Sequence, residues 1–343
     1  MKHALPSRRQ LLHAAAGLSV ASALPRLGST QEPSLEHTLT EIAGSPRERG
    51  RAYGTQFQGG IRSFLENEIW RGYEGRPNPR ERLLRFAGAC GKAIQRFSPE
   101  IHDEMEGMAE GAGLSLEEVV LVTNHEELWH QGLVPASDHC TVFGATKPDT
   151  AEGATFVGQT WDWMESVYGR SSMLLWKRKE GPSVLAYAYP GLWTGAGLNS
   201  AGLALCWHTG YGGGDEPRVG VPAYVLIAQM LYQETLAAAL EEARRAGHAG
   251  WFSFLVGDAR GELRTLRGNP KRLEIDDGAR CNGGRVRADG REKVDLARLQ
   301  AECTRVQVDT TIDSMIFDCT RREAWVTRRA GGVTPWKRFG FPA

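Results

Sequence analysis

The chain has 343 residues, 41 basic against 41 acidic side chains, and a formal net charge of zero, which allows one large or two ordinary domains around a substantial core. Balanced charge gives no electrostatic footprint for nucleic acid or an anionic membrane, and no run of about 18 apolar residues is present to span a bilayer. Glycine is abundant, 41 of 343 against an average near 7%, which favours tight turns and close backbone approaches over a helical bundle.

In chain order, the first segment reads as an address. Ser7-Arg8-Arg9-Gln10-Leu11-Leu12 is a twin-arginine signature, followed by a moderately apolar stretch from His13 to Ala23. The first acidic residue is Glu32, and Ala21-Ser22-Ala23 is a small-x-small cleavage site. Residues 1–31 are therefore expected to be a twin-arginine signal and tail, with a periplasmic or secreted destination; the other reading is a basic amphipathic helix. The six cysteines (90, 140, 206, 281, 303 and 319) contain no CxxC and no ligand-like pairing with histidine, which argues against zinc. In an exported protein an even count permits disulfides, and the spacing does not choose among them.

Residues 35–139 read as mainly helical. Ser45-Pro46-Arg47-Glu48 has serine at the N-cap, proline at the first helical position and glutamate at the third. Tyr53, Phe57, Ile61 and Phe64 then share one face. Gly50 and Gly54 within that helix cost about 1 kcal/mol each relative to alanine, so they point to close packing against another element. A second helix starts at Ser98-Pro99 and stops at Gly111-Ala112-Gly113; a third starts at the capping box Ser115 to Glu118 and runs to about Leu128.

From Cys140 the pattern changes to short strands. The run Cys140-Thr141-Val142-Phe143-Gly144 turns at Lys147-Pro148-Asp149. It returns through Thr155 to Thr160 to reach Trp161-Asp162-Trp163. Paired as an antiparallel hairpin, these runs bring Asp162 back beside Cys140, facing residues lying about 4.5–5.5 Å apart. A thiol and a carboxylate so placed form a candidate catalytic pair; the alternative is an ordinary buried cysteine near a turn. Strands follow at Ser172–Arg178, Pro182–Tyr189 and Leu198–Leu205, then helices at Ala223–Leu231 and Thr235–Arg245. Strands return at Trp251–Val256 and Glu262–Leu266, and Ile312–Phe317 with Ala324–Thr327 closes a last hairpin. This order predicts a layered α+β protein with largely antiparallel sheets.

Several of these stretches together resemble the acyl-CoA:6-aminopenicillanic acid acyltransferase (isopenicillin N acyltransferase) family, a branch of the N-terminal-nucleophile (Ntn) hydrolases. They are Gly44 to Gly50, Glu104 to Gly113, His139-Cys140-Thr141, Gly158-Gln159-Thr160-Trp161-Asp162-Trp163, Gly197 to Leu203 and Ile316-Phe317-Asp318, and they span nearly the whole chain after residue 35. The resemblance implies a four-layer αββα sandwich. It also implies a precursor that cuts itself at His139–Cys140, so that 35–139 becomes a still-bound small chain and 140–343 the catalytic chain, with 35–343 one folded unit. Cys140 would be the nucleophile, attacking an amide or thioester carbonyl. Its freed α-amino group, with a pKa of about 7.7–8.0, would act as a base that a backbone amide cannot be.

By the same resemblance Asp162 would bond the new α-amino group and Asn282 would help bind the oxyanion. Arg305 would be the late arginine near the nucleophile, and His208, Trp161 and Trp163 would line the substrate site. Each residue has a plainer reading. Asn282 sits in a Gly-rich turn, where asparagine is common; Arg305 suits a surface ion pair, His208 a strand, and the two tryptophans simple packing. The residue before the cysteine is often glycine in the family, and here it is His139, which either slows cutting or assists it as a local acid or base. Neither a metal nor a cofactor is expected, and the expected partner is a small amide or acyl substrate. A non-catalytic exported binding protein with the same fold is the other function that fits.

Overall fold

Close backbone packing organises the helical layer, and glycines make it possible. The structure is a computed structural model that describes residues 36–75, 77–129, 140–209, 218–278, 281–290, 292–329 and 334–342. The signal expected over 1–31 and the residue His139 lie outside these. A short strand β1 (Leu39–Ile42) leads into α1 (Pro46–Gln56), which carries the expected capping box between Ser45 and Glu48. The chain kinks at Phe57, continues as α2 (Gln58–Phe64), and widens into a π-helical turn over Leu65–Trp70. Tyr53, Phe57, Ile61 and Phe64 are all buried, although the single helix expected for them is broken.

Next come α3 (Pro79–Phe97), α4 (Pro99–Ala112) and α5 (Leu116–Thr123), then the short α6 (His125–Trp129). Ser98 and Ser115 cap α4 and α5 as the sequence predicts, and Gly113 ends α4 at φ +63°. Helices α1 and α4 meet through reciprocal glycines. A Cβ at Gly50 would lie 1.8 Å from the carbonyl oxygen of Glu104, and one at Gly107 would lie 2.1 Å from that of Arg47. No side chain fits such a contact, which accounts for glycine within both helices.

The second half builds two sheets. Strands β2 (Val142–Ala145) and β3 (Phe156–Asp162) form the expected hairpin. They are followed by β4 (Ser172–Trp176), β5 (Val184–Tyr189), β6 (Leu192–Asn199) and β7 (Leu203–Thr209). Helices α7 (Ala223–Leu231) and α8 (Leu236–Arg245) interrupt the strands before β8 (Phe252–Asp258), β9 (Leu263–Asn269) and β10 (Arg272–Asp276). Last come α9 (Leu296–Val306), β11 (Thr311–Asp318), β12 (Glu323–Arg328) and β13 (Lys337–Gly340).

The strands order as β1-β4-β5-β6-β7-β8-β9-β10 in one sheet and β13-β12-β11-β3-β2 in the other; among the described strand pairs, β1–β4 alone is parallel. The sheets face each other through contacts of β3 with β7 and β8 and of β11 with β6, while α7 packs on the far side of β6 and β7 and α9 on the far side of β3 and β11. That is the four-layer αββα sandwich implied above. Helices before Cys140 and strands after it share one apolar core, which includes Tyr53, Ile101, Val142, Trp161 and Tyr189. No helix among the described residues is long and apolar enough to cross a membrane.

Candidate active site

Cys140 stands at the start of the β2–β3 hairpin. Val142 faces Gln159 in that ladder, so the register carried two residues further sets Cys140 opposite Trp161, with Asp162 next along. The Cys140 thiol donates to the backbone oxygen of Asp162 at 3.8 Å, and Cys140 is 7% exposed. Burial pushes its pKa well above the ordinary thiol value, and the negative charges of Asp162 and then Glu126 add to the rise. In the continuous chain the nucleophile candidate is therefore a protonated thiol.

The Asp162 carboxylate is fixed on both oxygens. Thr311 Oγ1 donates to Oδ1 at 2.5 Å, and Thr160 Oγ1 donates to Oδ2 at 3.3 Å. Thr160 Oγ1 in turn accepts the backbone N–H of Thr141 at 3.1 Å, which ties the carboxylate to the residue following the cysteine. Strand β11 is bulged between Thr311 and Asp313, and a bulge of this kind re-aims a side chain.

Asn282 also meets this strand, though not as a free oxyanion donor. Its Oδ1 accepts the N–H of Val142 at 2.8 Å, and its Nδ2 donates to the carbonyl of Cys140 at 2.6 Å. The turn from Cys281 to Val286 runs alongside β2, with Gly283 N–H bonded to Val142 O and Val286 N–H to Gly144 O. Asn282 is thus a clamp on the backbone that carries the thiol.

Trp161 is buried and packs on Tyr187 (ring centroids 4.9 Å apart), Tyr189 and Trp207. It fits because β6 and β7 pair only at Gly197–Leu205 and Leu198–Ala204, and because a Cβ at Gly195 would lie 2.7 Å from its ring. Trp163 is half-buried, 5.8 Å from the ring of His125. His208 is buried on β7 opposite Ser253. It shares the strand face of Cys206, which looks toward the other sheet.

Arg305 is not brought to the cysteine. It is exposed on α9, paired with Glu302 at 2.5 Å, and α9 covers the outer face of the five-stranded sheet through Leu299 and Cys303. Helical spacing put Arg305 on the solvent side, so its carry-over from the family is corrected. The late arginine found inside is Arg328 of β12, fully buried against Asp313 at 3.2 Å.

Sequence reasoning missed the acidic end of the helical region. Glu126 accepts from Tyr224 Oη at 2.8 Å, His125 Nε2 lies 3.1 Å from Tyr189 Oη, and Glu127 accepts the N–H of Ala223 at 2.7 Å. The signal was available: a His-Glu-Glu run at the end of an apolar helix, shortly before the candidate nucleophile. Burial pushes Glu127 up to about 7. A carboxyl so raised keeps its proton in the folded state after the unfolded chain has lost it, so its contribution is complete below about pH 4.3 and is lost as pH rises through 7. Replacing Glu127 by Gln is expected to flatten the decline in urea-unfolding stability across that window; an unchanged decline would assign it to other groups.

All six cysteines are free and buried. His102, Asp103 and Glu106 on α4 offer ligand atoms within 4.8 Å of one another, but Glu106 is committed to Arg47 at 2.6 Å, and nothing ties the group to Cys140.

No protein-family model matches the chain. It is similar to the acyl-coenzyme A:6-aminopenicillanic-acid-acyltransferase 40 kDa form of Emericella nidulans, 24% identical over 217 residues, or 63% of this chain. The chain spans 59% of that relative's length. Among solved structures, penicillin V acylase from Agrobacterium tumefaciens aligns at a TM-score of 0.39 and 12% identity, over 58% of this chain and 85% of that one. A variant of conjugated bile acid hydrolase from Clostridium perfringens aligns at 0.39 and 9%, over 60% and 97%.

Proposed function

We propose that this relative of the isopenicillin N acyltransferase-like Ntn hydrolases is a self-processing cysteine amidohydrolase or acyltransferase, exported by the twin-arginine route. The observation that carries the reading is the hairpin itself. It holds a buried thiol one residue out of register with a carboxylate whose two oxygens are both fixed by threonine hydroxyls.

In the uncut chain the nitrogen of Cys140 is an amide and takes up no proton, so the thiol has no base beside it. Cutting proceeds by attack of Cys140 Sγ on the His139 carbonyl carbon, transfer of the acyl group from nitrogen to sulfur, and hydrolysis of the resulting thioester. One water is consumed, and a His139 carboxylate and a Cys140 α-amine are released. That amine then takes the thiol proton, and Asp162 orients it and balances its charge. The thiolate adds to a substrate carbonyl, forming the C–S bond as the C=O π pair moves onto oxygen. Collapse breaks the C–N bond, and the ammonium group protonates the departing amine. Water or a second amine then takes the acyl group; in an exported protein, with little acyl-CoA at hand, water is the favoured acceptor. The aromatic wall of Trp161, Tyr189 and Trp207 suits an apolar acyl group, and a small amide or acyl-amino compound is the substrate class.

Exchanging Asp162 for Asn keeps the two threonine contacts in reach and removes the charge. Acyl-enzyme formation is expected to fall by roughly 10²–10⁴, the usual size of a general acid–base contribution, with the melting temperature shifted far less. The readout is the burst of p-nitrophenol from a short p-nitrophenyl ester. A burst of unaltered rate in that variant would remove Asp162 from the mechanism.

A further inference from the structure

The geometry points to Gln159 as the donor that receives the oxyanion, an assignment that rests on Cys140 being the nucleophile. Gln159 is fully buried on β3. It faces Val142 in the ladder, so it is the diagonal neighbour of Cys140 on the same face of the hairpin, at a Cβ separation within reach of a long side chain. Its amide is oriented by a single bond, in which the backbone N–H of Trp207 donates to Oε1 at 3.0 Å. A backbone N–H accepts nothing, so the atom facing it must be the oxygen, and the choice between oxygen and nitrogen is settled chemically. Trp207 needs this partner because β7 has left its ladder with β6 by that point.

The other end of the amide, Nε2, is buried and has no partner. A sealed, unmade amide donor is costly, and native proteins leave few of them. Among the described residues the neighbouring amide, that of Asn282, is engaged on both atoms by the strand of Cys140. Gln159 therefore holds out an oriented N–H on the face of the hairpin that Cys140 shares. When the thiolate adds to a carbonyl, the C–S bond forms and the π pair settles on oxygen; the Nε2–H accepts no electrons and loses no proton, and only hydrogen-bonds the new charge. The same group would serve the His139 carbonyl in self-cleavage and the substrate carbonyl afterwards. A donor set in a buried site stabilises the transition state more than the ground state, because the charge it meets exists only there.

The test uses the processed protein with p-nitrophenyl acetate as the probe ester, read as the burst rate and as acetyl mass on Cys140. Gln159→Met removes the donor, and Gln159→Glu keeps an oxygen for the Trp207 N–H. Both are expected to acylate about 10²- to 10³-fold more slowly, with little change in the ester concentration giving half-maximal rate. The glutamate variant should melt close to wild type. A folded Met variant that acylates at the wild-type rate overturns the assignment. If that variant does not fold, a wild-type rate for the glutamate variant at pH 9 overturns it instead. Wild-type protein that gains no acetyl group on Cys140 overturns the nucleophile reading, and this inference with it.

Discussion

A Cys140→Ala variant is expected to remain one uncut chain, to give no p-nitrophenol burst and to carry no acyl group, while melting within a few degrees of wild type. The two halves of that expectation have separate physical grounds. Chemistry is lost because sulfur supplies both the attack on His139 and the later attack on substrate, and the Cys140 thiol bonds the backbone oxygen of the residue whose carboxylate the two threonines hold. Stability is largely kept because the hydrogen bond of Sγ is long, 3.8 Å to a backbone oxygen, and alanine gives up only that bond and the packing of one buried sulfur. A Cys140→Ser variant separates the steps further, since a hydroxyl is a poorer nucleophile than a thiol near neutral pH; it should be cut slowly or not at all. A Cys140→Ala chain that still yields two fragments ending and beginning at this bond would show that another group performs the cut.

The second large effect is on stability. Asp313 is sealed between the sheets, where Arg328 Nε lies 3.2 Å away, His37 Nε2 lies 3.0 Å away, Tyr187 Oη donates at 2.6 Å and Ser171 Oγ donates as well. Burial opposes its ionisation, yet the charges of His37 and Arg328 outweigh burial and hold its pKa below the ordinary value. Asp313→Ala leaves the guanidinium of Arg328 buried without its carboxylate, a change of about 3–5 kcal/mol, or roughly 10 °C in melting temperature for a chain of this size. Replacing the pair together, Asp313→Leu with Arg328→Met, should recover much of that loss, because apolar groups need no counter-charge. A carboxylate with a lowered pKa contributes above the unfolded value of about 3.9 and loses its contribution as pH falls through the folded value. Wild type should therefore lose stability steeply below about pH 4, and the double variant less so. Equal melting of Asp313→Ala and wild type would mean that the cluster contributes nothing net. The cluster bears on the site as well, since Tyr187 packs at a tilt against Trp161 and Asp313 is two residues from Thr311.

Much of this architecture is legible in the residues, for identifiable reasons. Capping boxes at Ser45 and Ser115, the serine before Pro99 and the glycine stop at Gly113 are local signals, and each marks a helix end correctly. The β2–β3 hairpin is legible because a polar turn separates two apolar runs. The break at Phe57 and the π turn after Phe64 are not, since the apolar face continues across both. Strand β10, with three charges in five residues, and the edge strand β13 carry little apolar pattern and are seen only through their pairing. Site residues divide the same way. Cys140 and Asp162 are joined by one hairpin, and local pattern suffices. Arg305 and Arg328 are both late arginines, and only the packing of α9 and β12 tells which one enters the core. Gln159 is one polar residue in a buried strand, and its meaning depends on Trp207, 48 residues away.

The most direct test is the intact mass and N-terminal sequence of purified protein lacking its first 31 residues. The account predicts two fragments that co-purify, the larger beginning Cys140-Thr141-Val142. A single chain that stays intact through prolonged incubation, with Cys140 unreactive toward a thiol probe, would contradict it and favour a binding protein that keeps the fold without the chemistry.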